Sequence, residues 1–403
     1  MTPPLEGIRV IEVASYVAAP SCGALLADLG AEVIKVEVPH GEVYRNALPR
    51  HAGYTSDFSE APAFQMDNRG KRSLTLDLTN PHARDALQRV IDGADVVLTN
   101  LLPQRRAKYG LDAKSLRERH PGLIYASLTG YGARGPDAER PSFDYAAYWA
   151  RSGMMDLMRE AEAVPSYQRP GIGDHAAGMS LTAGILAALR VRDATGEGQE
   201  IEVSLLQIGL YILGNDLAPT LVTRQTPARH DRRQPRNPLW NQYPTKGEGW
   251  LFLVMIESDR YWPGFLRAID RPDLLEDERF AGAVPRFRNA PALVEILDEV
   301  FRQKTLPEWE SLLDRGGLIW SPMRELAELA DDPQVRAMGY FREVEHPTAG
   351  SFETMGPPFE LSGFPMAADR PAPGLGADSE AVLRETGLSD DEVTAALAKA
   401  EDS

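Results

Sequence analysis

The chain has 403 residues, 43% of them hydrophobic and 25% charged, with 59 acidic against 43 basic side chains and a formal net charge of −16. That length predicts two domains rather than one core. The acidic balance argues against nucleic acid, whose affinity rests on Lys and Arg neutralising phosphates, yet a local basic patch still leaves room for a phosphorylated small ligand.

A single cysteine, Cys22, leaves no internal disulfide. No basic and apolar leader is read at the start, and no apolar run reaches the roughly 18 residues of a spanning helix. The expectation is a cytoplasmic protein with no membrane partner. The first half alternates strand and helix patterns. Ile8 to Val13 reads as a strand. Pro20 to Leu29 reads as a helix with Leu25, Leu26 and Leu29 on one side and Gly30 behind it. Glu32 to Glu37 and Ser73 to Leu78 are the next strands. A helix over His82 to Asp92 starts behind Pro81, and Asp95 to Thr99 and Leu123 to Leu128 continue the series. Repeated βα units predict an α/β fold with a doubly wound, Rossmann-like parallel sheet, whose ligands bind beyond the carboxyl ends of the strands.

From about Tyr145 to Leu217 the pattern is helical. A long apolar helix after Asp174 runs to about Arg192 and reads as buried. Arg224, Arg229, Arg232, Arg233 and Arg236 then alternate with prolines as far as Pro244, the pattern of a surface linker. A smaller α+β region follows to about Asp332, and a proline-rich tail leads to a terminal helix from about Asp378.

Several chemistries lack their motifs. The first βα turn, Ala14 to Pro20, has no Gly-x-Gly-x-x-Gly for a dinucleotide, and Gly70-Lys71-Arg72-Ser73 lacks the glycine loop of a nucleotide-phosphate cradle. No Gly-x-Ser-x-Gly elbow occurs. The seven histidines show no paired metal spacing, so no metal is expected. Cys22, on a predicted helix, suits core packing better than a nucleophile.

The run Pro170-Gly171-Ile172-Gly173-Asp174-His175-Ala176-Ala177-Gly178 puts one carboxylate at the mouth of the long helix. The ordinary reading is an N-cap, worth about 1 kcal/mol. The other is a nucleophile. Gly173 and Gly178 carry no side chain and would leave an open slot before the carboxylate, at the positive end of a helix. The residues alone leave both readings open.

The chain resembles the class III CoA-transferases, the CaiB/BaiF family that includes formyl-CoA transferase, carnitine CoA-transferase and α-methylacyl-CoA racemase. The matches run in order along the chain: Leu5 to Val13, Ala27-Asp28-Leu29-Gly30-Ala31-Glu32-Val33-Ile34-Lys35-Val36-Glu37, Asn68 to Leu78, Ala94 to Asn100, the Gly173-Asp174 step, and Thr195 to Gln199. The resemblance implies that Asp174 is the catalytic nucleophile of a CoA-transferase, which moves CoA from an acyl-CoA to a free carboxylic acid through an aspartyl anhydride and an aspartyl-CoA thioester. Coenzyme A enters as acyl-CoA substrate, with no tightly bound cofactor. By position, Tyr16, Val17, Ala18, Leu76, Asn100, Leu101, Arg105 and Lys108 match the family's CoA contacts, and Arg105, Arg106 and Lys108 form a basic cluster suited to a ribose phosphate. Backbone N–H groups near Gly173 are the expected oxyanion donors, with Phe143 and Tyr243 in the substrate pocket. The implied domains are a large CoA-binding domain over 1–223, a linker and small α+β domain over 224–332, and a segment over 333–403 that returns to the large domain. The implied assembly is an interlocked homodimer.

Three departures shape the expectation. Relatives often carry Arg just after the second strand's Glu, where this chain has Val38; Arg45 or Arg72 could stand in. In the racemase branch a histidine faces the aspartate, and Phe143 occupies that place in Pro141-Ser142-Phe143-Asp144-Tyr145, which favours transfer over racemisation. The stretch Arg236 to Pro244 lacks the glycine run that closes formyl-CoA transferases, which argues against oxalate. Trp240, Tyr243, Trp250, Tyr261 and Trp262 suggest a larger or more apolar acyl group, although a small-domain core explains them equally well. Racemisation and a non-catalytic CoA-ester binding protein are the alternatives, and succinyl-CoA is the donor that the resemblance suggests.

Overall fold

The computed structural model describes residues 2–399, which fall into two compact units, one of 2–155, 167–225 and 336–399 and the other of 156–166 and 226–335. The first unit is built on six parallel strands: β1 (Arg9–Val13), β2 (Glu32–Glu37), β3 (Arg72–Thr75), β4 (Val96–Thr99), β5 (Ile124–Thr129) and β6 (Glu200–Ser204). Their order is β3-β2-β1-β4-β5-β6, so strand addition reverses between β1 and β4. That reversal opens a crevice at the carboxyl edge. The central strands are near-continuous apolar runs, such as Val33-Ile34 and Val96-Val97-Leu98, because both faces of the sheet are covered. β6 was not foreseen: Glu200-Ile201-Glu202-Val203-Ser204 buries only its last two residues and sits between helices.

Helices α1 (Ala18–Asp28), α2 (Pro62–Asn68), α3 (Pro81–Asp92), α4 (Pro103–Lys108) and α5 (Ala113–Arg119) connect the strands. Proline opens α2, α3 and α4, where a missing N–H costs nothing. After the short α6 (Met154–Leu157) come α7 (Ile172–Thr195), α8 (Leu205–Ile212) and α9 (Gly214–Thr223). By length and composition α7 could cross a bilayer, contrary to the sequence reading. Its stripe of Ala177, Leu181, Ile185 and Ala188 is instead buried in the core with Leu26 of α1 and Val96 of the sheet. Gly178 lets the two helices meet closely: a Cβ there would stand 2.1 Å from Ser21 Oγ and 2.7 Å from Ala18 O.

The second unit holds an antiparallel sheet in the order β7-β8-β9, from β7 (Trp240–Pro244), β8 (Trp250–Val254) and β9 (Trp320–Pro322). Around it lie α10 (Ser258–Ala268), α11 (Ala283–Arg288), α12 (Ala290–Phe301) and α13 (Leu306–Arg315). Tyr243, Trp262, Phe265, Phe301 and Trp309 form its core. Part of the expected linker is folded here, since Arg232 is held by Asp298 and its carbonyl accepts from Asn241 Nδ2 at 3.0 Å. The segment 156–166, read from sequence as part of the large domain, also groups with this unit, and Asp156 accepts from Arg229 Nη2 at 2.7 Å.

The chain then passes through α14 (Pro333–Met338) to a hairpin of β10 (Phe341–His346) and β11 (Gly350–Met355). It ends in α15 (Ser379–Glu385) and α16 (Asp390–Leu397), whose Leu383 and Val393 join the core on the opposite sheet face with Ile34, Leu74 and Leu87.

Candidate active site

Two loops at the carboxyl edge of the sheet are fixed first. Asn100, directly after β4, clamps Ser15: its Oδ1 accepts from Ser15 N–H at 3.2 Å and its Nδ2 donates to Ser15 O at 2.8 Å. Tyr16 follows in a left-handed conformation, φ 66, and its N–H donates to Glu42 Oε2 at 2.5 Å. The other oxygen of Glu42 pairs with Lys35 Nζ at 2.7 Å, and Lys35 reaches Glu12 at 3.1 Å. Glu12 also holds Lys71 at 2.7 Å. Glu12, Lys35 and Lys71 are buried, so the network stands only because the charges answer one another. Burial lowers Lys71 to about 8 against the pull of Glu12. Burial also works to lower Lys35, but Glu12 and Glu42 outweigh it and its net shift is upward.

The start of α7 is set by Gly171, an N-cap with φ 83 that a side chain would strain. A glycine cannot satisfy the helix's free N–H groups. Asp144 does so from a distance: its Oδ2 accepts the N–H of Gly171 at 2.9 Å, and the N–H groups of Tyr145 and Gly173 also stabilise its carboxylate. Asp144 precedes a π-helical turn, Tyr145–Arg151, a feature often found beside functional sites.

This arrangement overturns the cap reading of Asp174. The carboxylate sits in the first turn of α7, half-buried, with no side-chain hydrogen bond among the described residues. Burial pushes it up to about 7, reinforced by the charges of Asp144 and Asp67 and opposed by His175. His175 turns its Nε2 onto Asp67 Oδ1 at 3.0 Å. Burial lowers its basicity, but Asp67 raises it by more, and the net shift is upward. Asp67 is buried, and its Oδ2 has no hydrogen-bond partner among the described residues.

Asp174, Asp144 and His175 share the wall of a cavity of about 950 Å³ with Tyr16 and Phe143. The Phe143 ring is 56% exposed and meets Tyr16 edge to face, with centroids 5.1 Å apart. β11 adds Glu353, Thr354 and Met355.

Of the residues matched to CoA contacts, Tyr16 and Val17 line this cavity. Ala18 is buried at the start of α1, and Leu76 is buried in the core just past β3. Asn100 is the loop clamp, and the carbonyl of Leu101 accepts from Arg106 Nε. Arg106 is buried beneath its own turn, while Arg105 and Lys108 stand exposed on α4. All follow the carboxyl ends of β1, β3 and β4.

Several expectations need correction. A Cβ on Gly173 would lie 2.4 Å from Tyr148 Cγ, so this glycine admits a ring rather than a ligand. Its N–H favours the Asp144 carboxylate. Gly178 likewise makes room for α1. Tyr243 is fully buried in the second unit's core with its hydroxyl donating to Pro238 O at 2.6 Å, which leaves no surface for an acyl group. Trp262 is core as well, whereas Trp240 and Trp250 are partly exposed. Neither proposed substitute for the missing arginine is free: Arg45 makes a fork to Glu37 at 2.8 and 2.6 Å, and Arg72 is held by Glu32 and by Glu385 at 2.8 Å. Cys22 is fully buried, and that burial pushes its thiol up to about 12, as suits a core residue. Sequence reasoning missed Asp144 and Asp67. Asp144 had one usable signal, because a helix opened by Gly171 needs a carboxylate from elsewhere.

Residues 5–379 match the family model for CoA-transferase family III. The (R)-2-hydroxy-4-methylpentanoate CoA-transferase of Clostridioides difficile is 31% identical over 389 residues, covering 96% of this chain and 97% of that protein. The succinate–glutarate CoA-transferase of Agrobacterium fabrum is 31% identical over 385 residues, covering 95% and 96%. The crystal structure of a CaiB/BaiF family protein from Brucella suis aligns with a TM-score of 0.85 at 30% identity, covering 96% of this chain and 100% of that one.

Proposed function

The chain belongs to CoA-transferase family III, and from that premise we propose that Asp174 carries the transfer of CoA from an acyl thioester to a free carboxylic acid as a covalent nucleophile. The observation that supports this most is the unpartnered state of Asp174 in the cavity, with Asp144 relieving it of capping. A carboxylate stripped of water and repelled by a neighbouring charge is a stronger nucleophile than one held by hydrogen bonds.

The Asp174 carboxylate attacks the thioester carbonyl, forms an acyl–aspartyl anhydride and expels CoA thiolate. The thiolate attacks the aspartyl carbonyl, releasing the first acid and leaving an aspartyl-CoA thioester. The acceptor carboxylate attacks that thioester and forms a second anhydride, again expelling thiolate. Thiolate then attacks the acceptor's acyl carbonyl, which frees Asp174 and yields the new acyl-CoA. No step loses the thioester's free energy to water, so the cavity must exclude it. The positive end of the 24-residue α7 favours each developing oxyanion.

Tyr16 and Val17 border the thioester end of CoA, and Arg105 and Lys108 are the cations proposed to meet its phosphates. Phe143 cannot move a proton, so proton shuttling at the α-carbon lacks the facing histidine that the racemase branch supplies. The names of the relatives include both a branched hydroxy acid and two dicarboxylic acids, so membership alone does not choose the acyl class. An interlocked homodimer is part of this proposal; sedimentation at working concentration tests it. For the transfer itself, Asp174→Asn is compared with the parent chain in CoA exchange between an acyl-CoA and a labelled acid. Loss of at least about 1,000-fold in kcat, as for an essential nucleophile, is expected, and full retained activity contradicts the assignment.

A further inference from the structure

The cavity beside Asp174 has a marked imbalance of charge. Asp144 and Asp174 stand in its wall together with Glu353, and among the described residues no lysine or arginine lines it. Glu353 is answered by Arg336, whose Nη2 donates to it at 2.9 Å. His175, the one side chain in the wall that can become cationic, is already turned to Asp67 at 3.0 Å. Arg169, next in sequence to Pro170 of the wall, is exposed and does not line the cavity. The rest is largely apolar, with Phe143, Tyr16, Met66 and Met355 among its lining.

A second cavity of about 510 Å³ shares Met66, His175 and Met355 with the first and continues to Leu25, Met179 and Phe359. It contains one arginine, Arg69. Its Nε and Nη2 donate to Asp28 and its Nη1 to Met66 O, and Asp28 already answers its charge. Methionine side chains at the shared wall adapt to tails of different shape.

We propose that the acyl group handled here is that of a monocarboxylic acid with an apolar alkyl or aryl tail, and that acyl groups ending in a second carboxylate are rejected. The inference rests on Asp174 being the acyl acceptor, because that places the acyl carbon at its carboxylate and the tail in this cavity. A second carboxylate there would lose its water, meet the Asp144 side chain and find no lysine or arginine of this chain in the wall. An apolar tail gains by burial against Phe143, Tyr16 and the methionines. Donor and acceptor acyl groups pass through the same aspartate, so the exclusion acts on both. It sets aside succinyl-CoA.

The test compares esters of equal chain length: butanoyl-CoA with succinyl-CoA, pentanoyl-CoA with glutaryl-CoA, and hexanoyl-CoA with adipoyl-CoA. Each is supplied to the full chain with a saturating apolar acid, and CoA exchange is followed by chromatography. The apolar ester of each pair is expected to lead in kcat/KM by roughly 100-fold or more, the scale on which an unpaired buried charge is refused. Ala63→Arg and, separately, Met66→Lys place a cation in the wall and should narrow that gap at least tenfold in whichever variant folds. Dicarboxylic esters turned over as fast as their apolar partners overturn the inference and leave the transferase standing. Exchange with none of the esters overturns the transferase reading itself, and this inference with it.

Discussion

Replacing Asp174 by Asn should stabilise the fold, and by more as pH rises. The Asp174 carboxyl is raised from 3.8 to about 7 in the folded chain, chiefly by burial and then by Asp144. Below about pH 4 the group is protonated in both folded and unfolded states and contributes nothing to pH dependence. Between there and about pH 7 the folded state keeps a proton that the unfolded state releases, so stability falls as pH rises. Above about pH 7 the whole cost is present. A shift of about three units at 1.36 kcal/mol each sets an upper bound near 4 kcal/mol, and partial solvent contact at a half-buried carboxylate brings it to about 2–3. Asn cannot ionise. The advantage of Asp174→Asn over the parent should therefore grow by about 2 kcal/mol between roughly pH 5 and pH 8. Urea denaturation at matched ionic strength reads this, and any constant offset from the amide's own contacts cancels between the two pH values. Asp174 also raises His175, so the two titrate as a pair and the apparent midpoint belongs to both. A variant that loses about 1 kcal/mol, with the loss growing as pH rises, behaves as a helix without its cap and refutes the reasoning.

The same carboxylate should set the acid limb of catalysis. kcat/KM is expected to rise with pH through about 7 as Asp174 ionises, and in Asp144→Asn, which removes the neighbouring charge, the limb should move to lower pH; a flat profile from pH 5 to 8 contradicts both. Gly178→Ala and Gly173→Ala each force a Cβ into space held by Ser21 Oγ and the Tyr148 ring and should cost about 2–4 kcal/mol in urea denaturation, at the upper end of overpacking; a change below about 0.5 kcal/mol would show that the glycines are not packing devices. The upward shift of His175 comes from Asp67 against burial, so its share of stability is present below the unfolded pKa and disappears as pH rises through the higher folded value. Asp67→Asn should lower the His175 midpoint by NMR titration and weaken the fold most at acid pH, and an unmoved midpoint would deny that the pair matters.

The sheet was legible because its strands are short apolar runs bounded by glycines and prolines. Glu32 to Glu37 emerges with the predicted bounds, and the other predicted strands shift by one to three residues. β6 was not legible, since its half-exposed Glu-Ile-Glu run resembles the surrounding helices. Asp174 itself could be located from its place at the head of a long helix, but not its state. Whether a first-turn acid caps or stays free depends on another carboxylate, Asp144, arriving from 27 positions before Gly171, and no local pattern encodes that. The glycines were misread for a related reason. Absence of a side chain is visible in sequence, whereas what fills the space is not, and Tyr148 and Ser21 fill it here. The hairpin residues Glu353, Thr354 and Met355 carried no signal at all, because they reach the cavity only through the return of the C-terminal segment to the first unit.

The account turns on a covalent bond at Asp174, and trapping tests it most directly. The full chain is incubated with hexanoyl-CoA, quenched with hydroxylamine, digested and read by mass spectrometry. The peptide containing Asp174 should carry a hydroxamate in place of its carboxyl, dependent on the ester and absent without it. Sustained CoA exchange under the same conditions with an unmodified Asp174 peptide, or with the hydroxamate on another carboxylate such as Asp144, would contradict the account.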